Sequence, residues 1–174
     1  MRIPPLPADE WNENVEAAFK GMLPRERMNP EGAGNALATL ARHPDLAKAF
    51  VGFNLYITFR STLPPRVREL AVLRVAALTD CAYETSGHLP MAKDAGLSDR
   101  EVTAAQGGIA ADQFEQSVLD AVVELTKNTQ LSEVTWKSLS EQLDEQQRMD
   151  LVFTIGSYYL VAMAFNTFGV QPDV

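Results

Sequence analysis

Leu151-Val152-Phe153-Thr154-Ile155-Gly156-Ser157-Tyr158-Tyr159-Leu160-Val161-Ala162-Met163-Ala164-Phe165 is the longest apolar stretch of the chain, and its reading decides the fold. A membrane span needs about 20 predominantly apolar residues. This stretch is shorter, is interrupted by Thr154, Gly156, Ser157 and two tyrosines, and is bounded by Asp150 and Asn166. It reads as the buried part of a long helix over about 145–168, capped by Asp144.

The segments around it carry helical punctuation. Residues 1–8 are proline-rich and extended. Asp9 is read as the cap of a helix to about Met22, ended by Pro24. A loop over Met28–Gly32 precedes a short helix from Asn35 to Arg42. His43, a turn or cap residue before Pro44, precedes a helix over Asp45–Arg60, with Leu46, Phe50, Phe53 and Ile57 on one face. Pro65 suits a first helical position. Thr79-Asp80 reads as a cap for a helix from Cys81 to about Ala95. Ser98-Asp99-Arg100-Glu101 is a capping box, and Gly107-Gly108 ends its helix. Further helices are expected at about 113–128 and 132–142. Trp11 and Trp136 read as core or interface anchors. Nothing alternates with period two for long, so the fold class is all-α. Residues 1–30 form an N-terminal extension and first helix, and 31–174 the helical remainder of one domain.

The chain has 174 residues, 46% of them hydrophobic and 22% charged, and a net charge of −8. Such a chain folds rather than staying disordered. Its acidity disfavours nucleic acid and anionic membranes as partners. A single cysteine cannot form an intrachain disulfide, and the first residues show no apolar signal-peptide core. A cytoplasmic location is the expectation.

The segment with chemical content is Cys81-Ala82-Tyr83-Glu84-Thr85-Ser86-Gly87-His88. At 3.6 residues per turn, Cys81, Glu84 and His88 share roughly 60° of one helix face. Glu84 and His88 are an i,i+4 pair. A carboxylate beside an imidazole sets its tautomer and makes it a general acid or base. Cys81 falls in the first turn after Asp80, where the helix dipole favours thiolate while two carboxylates oppose it. Glu69 stands on an apolar stripe with Val72, Leu73 and Ala76, so it needs a partner: Arg66, Arg68 or His88. Two histidines 45 positions apart make no metal motif, and the spacing of Glu69, Glu84 and His88 does not demand a metal.

These residues resemble the carboxymuconolactone decarboxylase family, which includes alkylhydroperoxidase D. The pattern reads here as Arg68-Glu69-Leu70, then Cys81 to His88, then Ala92-Lys93-Asp94-Ala95-Gly96-Leu97-Ser98. Asp150 to Tyr159 resembles the family's final helix, so the likeness covers about residues 40–170. The resemblance implies an alkylhydroperoxidase D-like helical fold and a homotrimer or homohexamer with sites near subunit interfaces. It also implies two chemistries. The peroxidase branch pairs two cysteines; here the second cysteine position is Glu84, which removes the dithiol. The decarboxylase branch needs no metal or organic cofactor and relies on acid/base residues. The family's usual tryptophan is Thr85 here.

The first expectation is therefore cofactor-independent acid/base chemistry on a small carboxylated or lactone substrate. His88 moves the proton, Glu84 orients it, Glu69 completes the relay, and Tyr83 and Thr85 line the substrate. The alternatives are a peroxidase using Cys81 alone and a non-catalytic oligomer that binds a small ligand.

Overall fold

Side-chain caps start many of the helices. In the computed structural model, which describes residues 1–173, nine α-helices and no strand are present among the described residues. Asn12 caps α1 (Glu13–Phe19) through the amides of Asn14 and Val15. Asp9 lies instead in a short 3-10 turn, Ala8–Glu10. The amide side chain of Asn12 sits where the chain turns into the helix, so the cap falls three residues later than the sequence reading placed it. Asn29 caps α2 (Pro30–Leu40), with Pro30 at its first turn. That helix opens earlier than expected and kinks at Gly34, whose φ is +80°. His43 caps α3 (Pro44–Phe59), its Nδ1 accepting from the Leu46 amide.

Two compact units contain these elements. The first comprises Met1–Arg60 together with the chain from Ala164 onward. Its extended N-terminal segment is pinned by backbone bonds from Arg2 to Phe168 (2.7 Å) and from Leu6 to Ala38 (2.8 Å), and by Arg42 Nε donating to the Pro4 carbonyl. Gly34 suits its place because its φ of +80° is a conformation that other residues adopt only with strain. Trp11 stacks on Phe19, as an anchor should. On α3 the buried side is Ala47, Val51, Ile57 and Thr58. Leu46 and Phe53, expected on one inward face with Ile57, are exposed. The small residues Ala47 and Val51 allow close approach and take the inward positions.

The second unit, Ser61–Met163, is built around α4 (Pro65–Leu78). Val67, Leu70, Ala71, Val72, Leu73, Val75 and Ala76 are all buried there. This near-continuous apolar surface lets α4 pack against α5 (Ala82–Asp94), α6 (Asp99–Gly107) and α7 (Gln113–Asn128) at once. Arg66 ties three of these helices together, donating to Glu115 and Glu101 at 2.5 Å each. The Ser98–Glu101 capping box forms as read. Hydrogen bonds from Ser98 and Arg66 hold the Glu101 carboxyl down to about 2.

Helix α8 (Glu133–Ser140) precedes α9 (Glu145–Phe168), whose limits match the sequence reading. Asp144 accepts from the Gln147 amide at its start. Trp136 lies under the Arg148 guanidinium and is partly exposed. By length and composition α9 could cross a membrane, yet Leu151, Ile155, Tyr158 and Ala162 on one side of it are buried in the fold.

Candidate active site

Glu69 is the most deeply placed charge of α4. It is fully buried, and its stripe neighbours Val72, Leu73 and Ala76 are buried with it. An isolated carboxylate there would be costly. Both its oxygens are satisfied: Arg68 Nε donates to Oε1 at 2.8 Å, and Oε2 lies 2.7 Å from His88 Nδ1. Arg66, the third candidate partner, is occupied by Glu101 and Glu115.

The 2.7 Å contact sets the imidazole's orientation. A carboxylate only accepts, so Nδ1 carries the proton and Nε2 is left as the basic nitrogen. The edge-on contact between His88 and Tyr158, with centroids 4.8 Å apart and planes at 88°, restrains the ring further. His88 is buried, with 8% of its surface exposed.

On the same helix, Glu84 has 2% exposure and neither oxygen has a hydrogen-bond partner. Burial pushes its carboxyl up to about 8, so it is neutral at pH 7. The i,i+4 phase thus brings Glu84 and His88 to the same buried side, but it is Glu69, 19 positions upstream, that holds the imidazole.

Asp80 adopts a left-handed conformation (φ 51°), and Cys81 is the N-cap of α5 rather than a residue of its first turn. The turn after α4 is too tight for Asp80 to cap. Cys81 is buried. Burial raises its thiol pKa, and the charges of Asp80 and of Glu84, once Glu84 has ionised, add to this; the amides of Glu84 and Tyr83 oppose it without prevailing. Tyr83 and Thr85 are half-buried on the flanks of α5.

Two further participants emerge. Arg68 was one of three possible partners for Glu69 and is the one that binds it. Tyr158 lies in a segment the sequence reading had picked out, but no spacing rule connects a residue of α9 to one of α5. A cleft of about 380 Å³ in the same unit is lined by Leu70, Arg100, Glu101, Ala104, Ile109 and Glu115, among others, and includes neither His88 nor Glu84. Its two carboxylates, Glu101 and Glu115, are already paired with Arg66, so it offers no comparable reactive pair. Among the described residues no three His, Cys, Asp or Glu side chains are grouped to hold a metal ion.

An all-helical fold of the alkylhydroperoxidase D type thus carries a buried carboxylate–imidazole pair beside a neutral carboxylic acid and a thiol. The fold is shared with the alkylhydroperoxidase AhpD core protein, an uncharacterized peroxidase-related protein of Ralstonia eutropha JMP134, at TM-score 0.78 and 16% identity, over 99% of this chain and 94% of that one. The debrominase Bmp8, as a cysteine-to-alanine variant in complex with 2,3,4-tribromopyrrole, aligns at TM-score 0.74 and 18% identity, over 100% and 92% of the two chains. ATU0492 of Agrobacterium tumefaciens, a putative antioxidant defence protein AhpD, aligns at TM-score 0.67 and 18% identity, over 78% and 95%. No curated protein sequence matches the chain. Residues 44–127 match the carboxymuconolactone decarboxylase family. The resemblance read from the sequence therefore stands over the segment that holds Glu69, Cys81, Glu84 and His88; the match stops short of α9.

Proposed function

We propose that this chain is a cofactor-independent acid/base enzyme acting on a small carboxylated or lactone substrate, by decarboxylation or a related lyase or isomerase step. One observation carries the reading: the buried Glu69–His88 contact of 2.7 Å, with an uncompensated Glu84 on the same helix. Environments that push neighbouring titratable groups apart separate an acid from a base. Here His88 Nε2 is the base and neutral Glu84 the proton donor. Loss of carbon dioxide leaves an electron pair that an adjacent carbonyl must accept. Glu84 donates its proton to that oxygen as charge develops, giving the enol; His88 Nε2 takes the enol proton and returns it to the carbon that lost carbon dioxide, and Glu84 regains a proton from solvent. Glu69 and Arg68 act as positioning residues. No step in this scheme calls for a metal or an organic cofactor, and the reaction suits a cytoplasmic enzyme. A turnover screen of small lactone and keto acids tests it: His88→Ala lowers kcat by roughly 10²–10⁴ on any substrate found, while Cys81→Ser leaves most activity.

The second reading, a thiol peroxidase, rests on Cys81 at the N-cap of α5 and on the peroxidase-related structural neighbour. In it the Cys81 thiolate takes an oxygen from a peroxide, releasing an alcohol, and an external thiol reduces the sulfenic acid. Cys81→Ser then abolishes peroxide turnover. The burial that raises the thiol pKa supports the first reading over this one.

A further inference from the structure

Thr154 on α9 is fully buried, and its hydroxyl has no hydrogen-bond partner among the described residues. Other helical hydroxyls of this chain fold back onto the carbonyl four residues earlier. Thr103 donates to Asp99 at 2.9 Å, Ser117 to Gln113 at 3.0 Å and Thr126 to Val122 at 2.7 Å. That bond is open to any serine or threonine in a helix. Thr154 does not make it with Asp150, so its hydroxyl is turned into the interior of the unit. An unpaired buried donor is a cost to the fold, and a valine would fill the same space without it.

The hydroxyl stands beside the Glu69–His88 pair. Thr154 lies about 40° around α9 and about 6 Å along it from Tyr158. Helical side chains lean toward the N-terminus, so the Tyr158 ring covers the turn that Thr154 occupies. The same ring meets His88 edge-on, with centroids 4.8 Å apart. One turn further back, Asp150 Oδ2 accepts from the Thr62 amide (2.6 Å) and hydroxyl (2.9 Å) and leaves Thr154 unengaged. Ser157 is a second buried hydroxyl of α9 without a partner among the described residues. It stands about 100° from Tyr158, away from this row.

We propose that the Thr154 hydroxyl binds substrate, donating a hydrogen bond to the uncharged carbonyl oxygen of a keto or lactone acid held at His88. The place of the substrate rests on the acid/base reading. Charge selects that oxygen over the substrate's carboxylate. Carboxylates close the row of Thr154, Tyr158 and His88 at both ends, Asp150 at one and Glu69 at the other, and Arg68 offsets only the second. A further anionic group is repelled there. A carbonyl oxygen has two acceptor lone pairs, one for Thr154 and one for the proton that Glu84 delivers. The oxygen ends as a neutral enol, so the Thr154 bond is about equally strong before and after that delivery. It contributes to binding rather than to the chemical step.

The wild type, Thr154→Val and Thr154→Ser are compared as full chains. Ligand-observed NMR gives their affinities for levulinate and for pentanoate, which has a methylene in place of the keto group. The wild type should bind levulinate about three- to tenfold more tightly. Thr154→Val should bind the two alike, and Thr154→Ser, which keeps the hydroxyl, should keep the preference. On any keto or lactone acid that the wild type turns over, Thr154→Val should raise KM by a similar factor, with kcat within roughly twofold. Its melting temperature should equal or exceed that of the wild type, because a methyl group replaces an unpaired hydroxyl. A wild type without the preference, a Thr154→Val that keeps it or a Thr154→Ser that loses it would overturn the proposal. So would a Thr154→Val that melts well below the wild type, which would make the hydroxyl's partner a water of the fold. A preference that depends on Thr154, with no acid turned over, sinks the acid/base reading and leaves Thr154 as the ligand contact. Turnover with KM unaltered in Thr154→Val overturns the role of Thr154 and leaves the acid/base chemistry standing.

Discussion

Glu84 holds a proton at neutral pH because its carboxyl is buried without a hydrogen-bond donor. Folding raises its pKa from an ordinary value of about 4.3 to about 8, so between those values the folded chain keeps a proton that the unfolded chain has lost. The unfolded state binds fewer protons there, so stability falls as pH rises through this window and levels off above it. The whole effect is on the order of 5 kcal/mol. Glu84→Gln removes it: urea unfolding should find variant and wild type similar near pH 4.5, with the variant several kcal/mol more stable at pH 8.5. Activity should fall above about pH 8 as the acid ionises. Glu69 invites a different test. Glu69→Gln keeps the size of the side chain but can present an amide to His88 Nδ1, which disfavours the Nδ1-protonated tautomer. Its kcat should fall by roughly 10²-fold or more with little change in KM.

At the scale of the elements, α4 is tied to its neighbours by contacts away from the site. Arg66 joins α4 to Glu101 of α6 and Glu115 of α7, and Glu101 also completes the cap of its own helix. Ser98→Ala removes one side of that capping box and should cost about 1 kcal/mol in a denaturant titration. Leu73→Ala, at a fully buried position of α4, should cost about 2–5 kcal/mol. The capping box was readable because both of its partners lie within four residues. The inward face of α3 was not: hydrophobicity favoured Leu46 and Phe53, whereas close packing chose Ala47 and Val51.

For the whole molecule, a net charge of −8 means that copies of the chain repel one another. Salt screens the repulsion between copies and leaves an apolar contact in place. Sedimentation at about 20 and 300 mM sodium chloride should therefore show tighter association at the higher salt. Assembly through intermolecular ion pairs would weaken instead.

The all-helical class, the limits of α9 and the grouping of Glu84 and His88 on one side of α5 were determined by sequence alone. They depend on periodicity and capping between residues a few positions apart. The pairing of Glu69 with His88 across 19 positions, the choice of Arg68 over Arg66 and the approach of Tyr158 from α9 were decided only by tertiary structure. So was the neutrality of Glu84, because its protonation depends on how much water the surrounding helices exclude, and no local pattern encodes that.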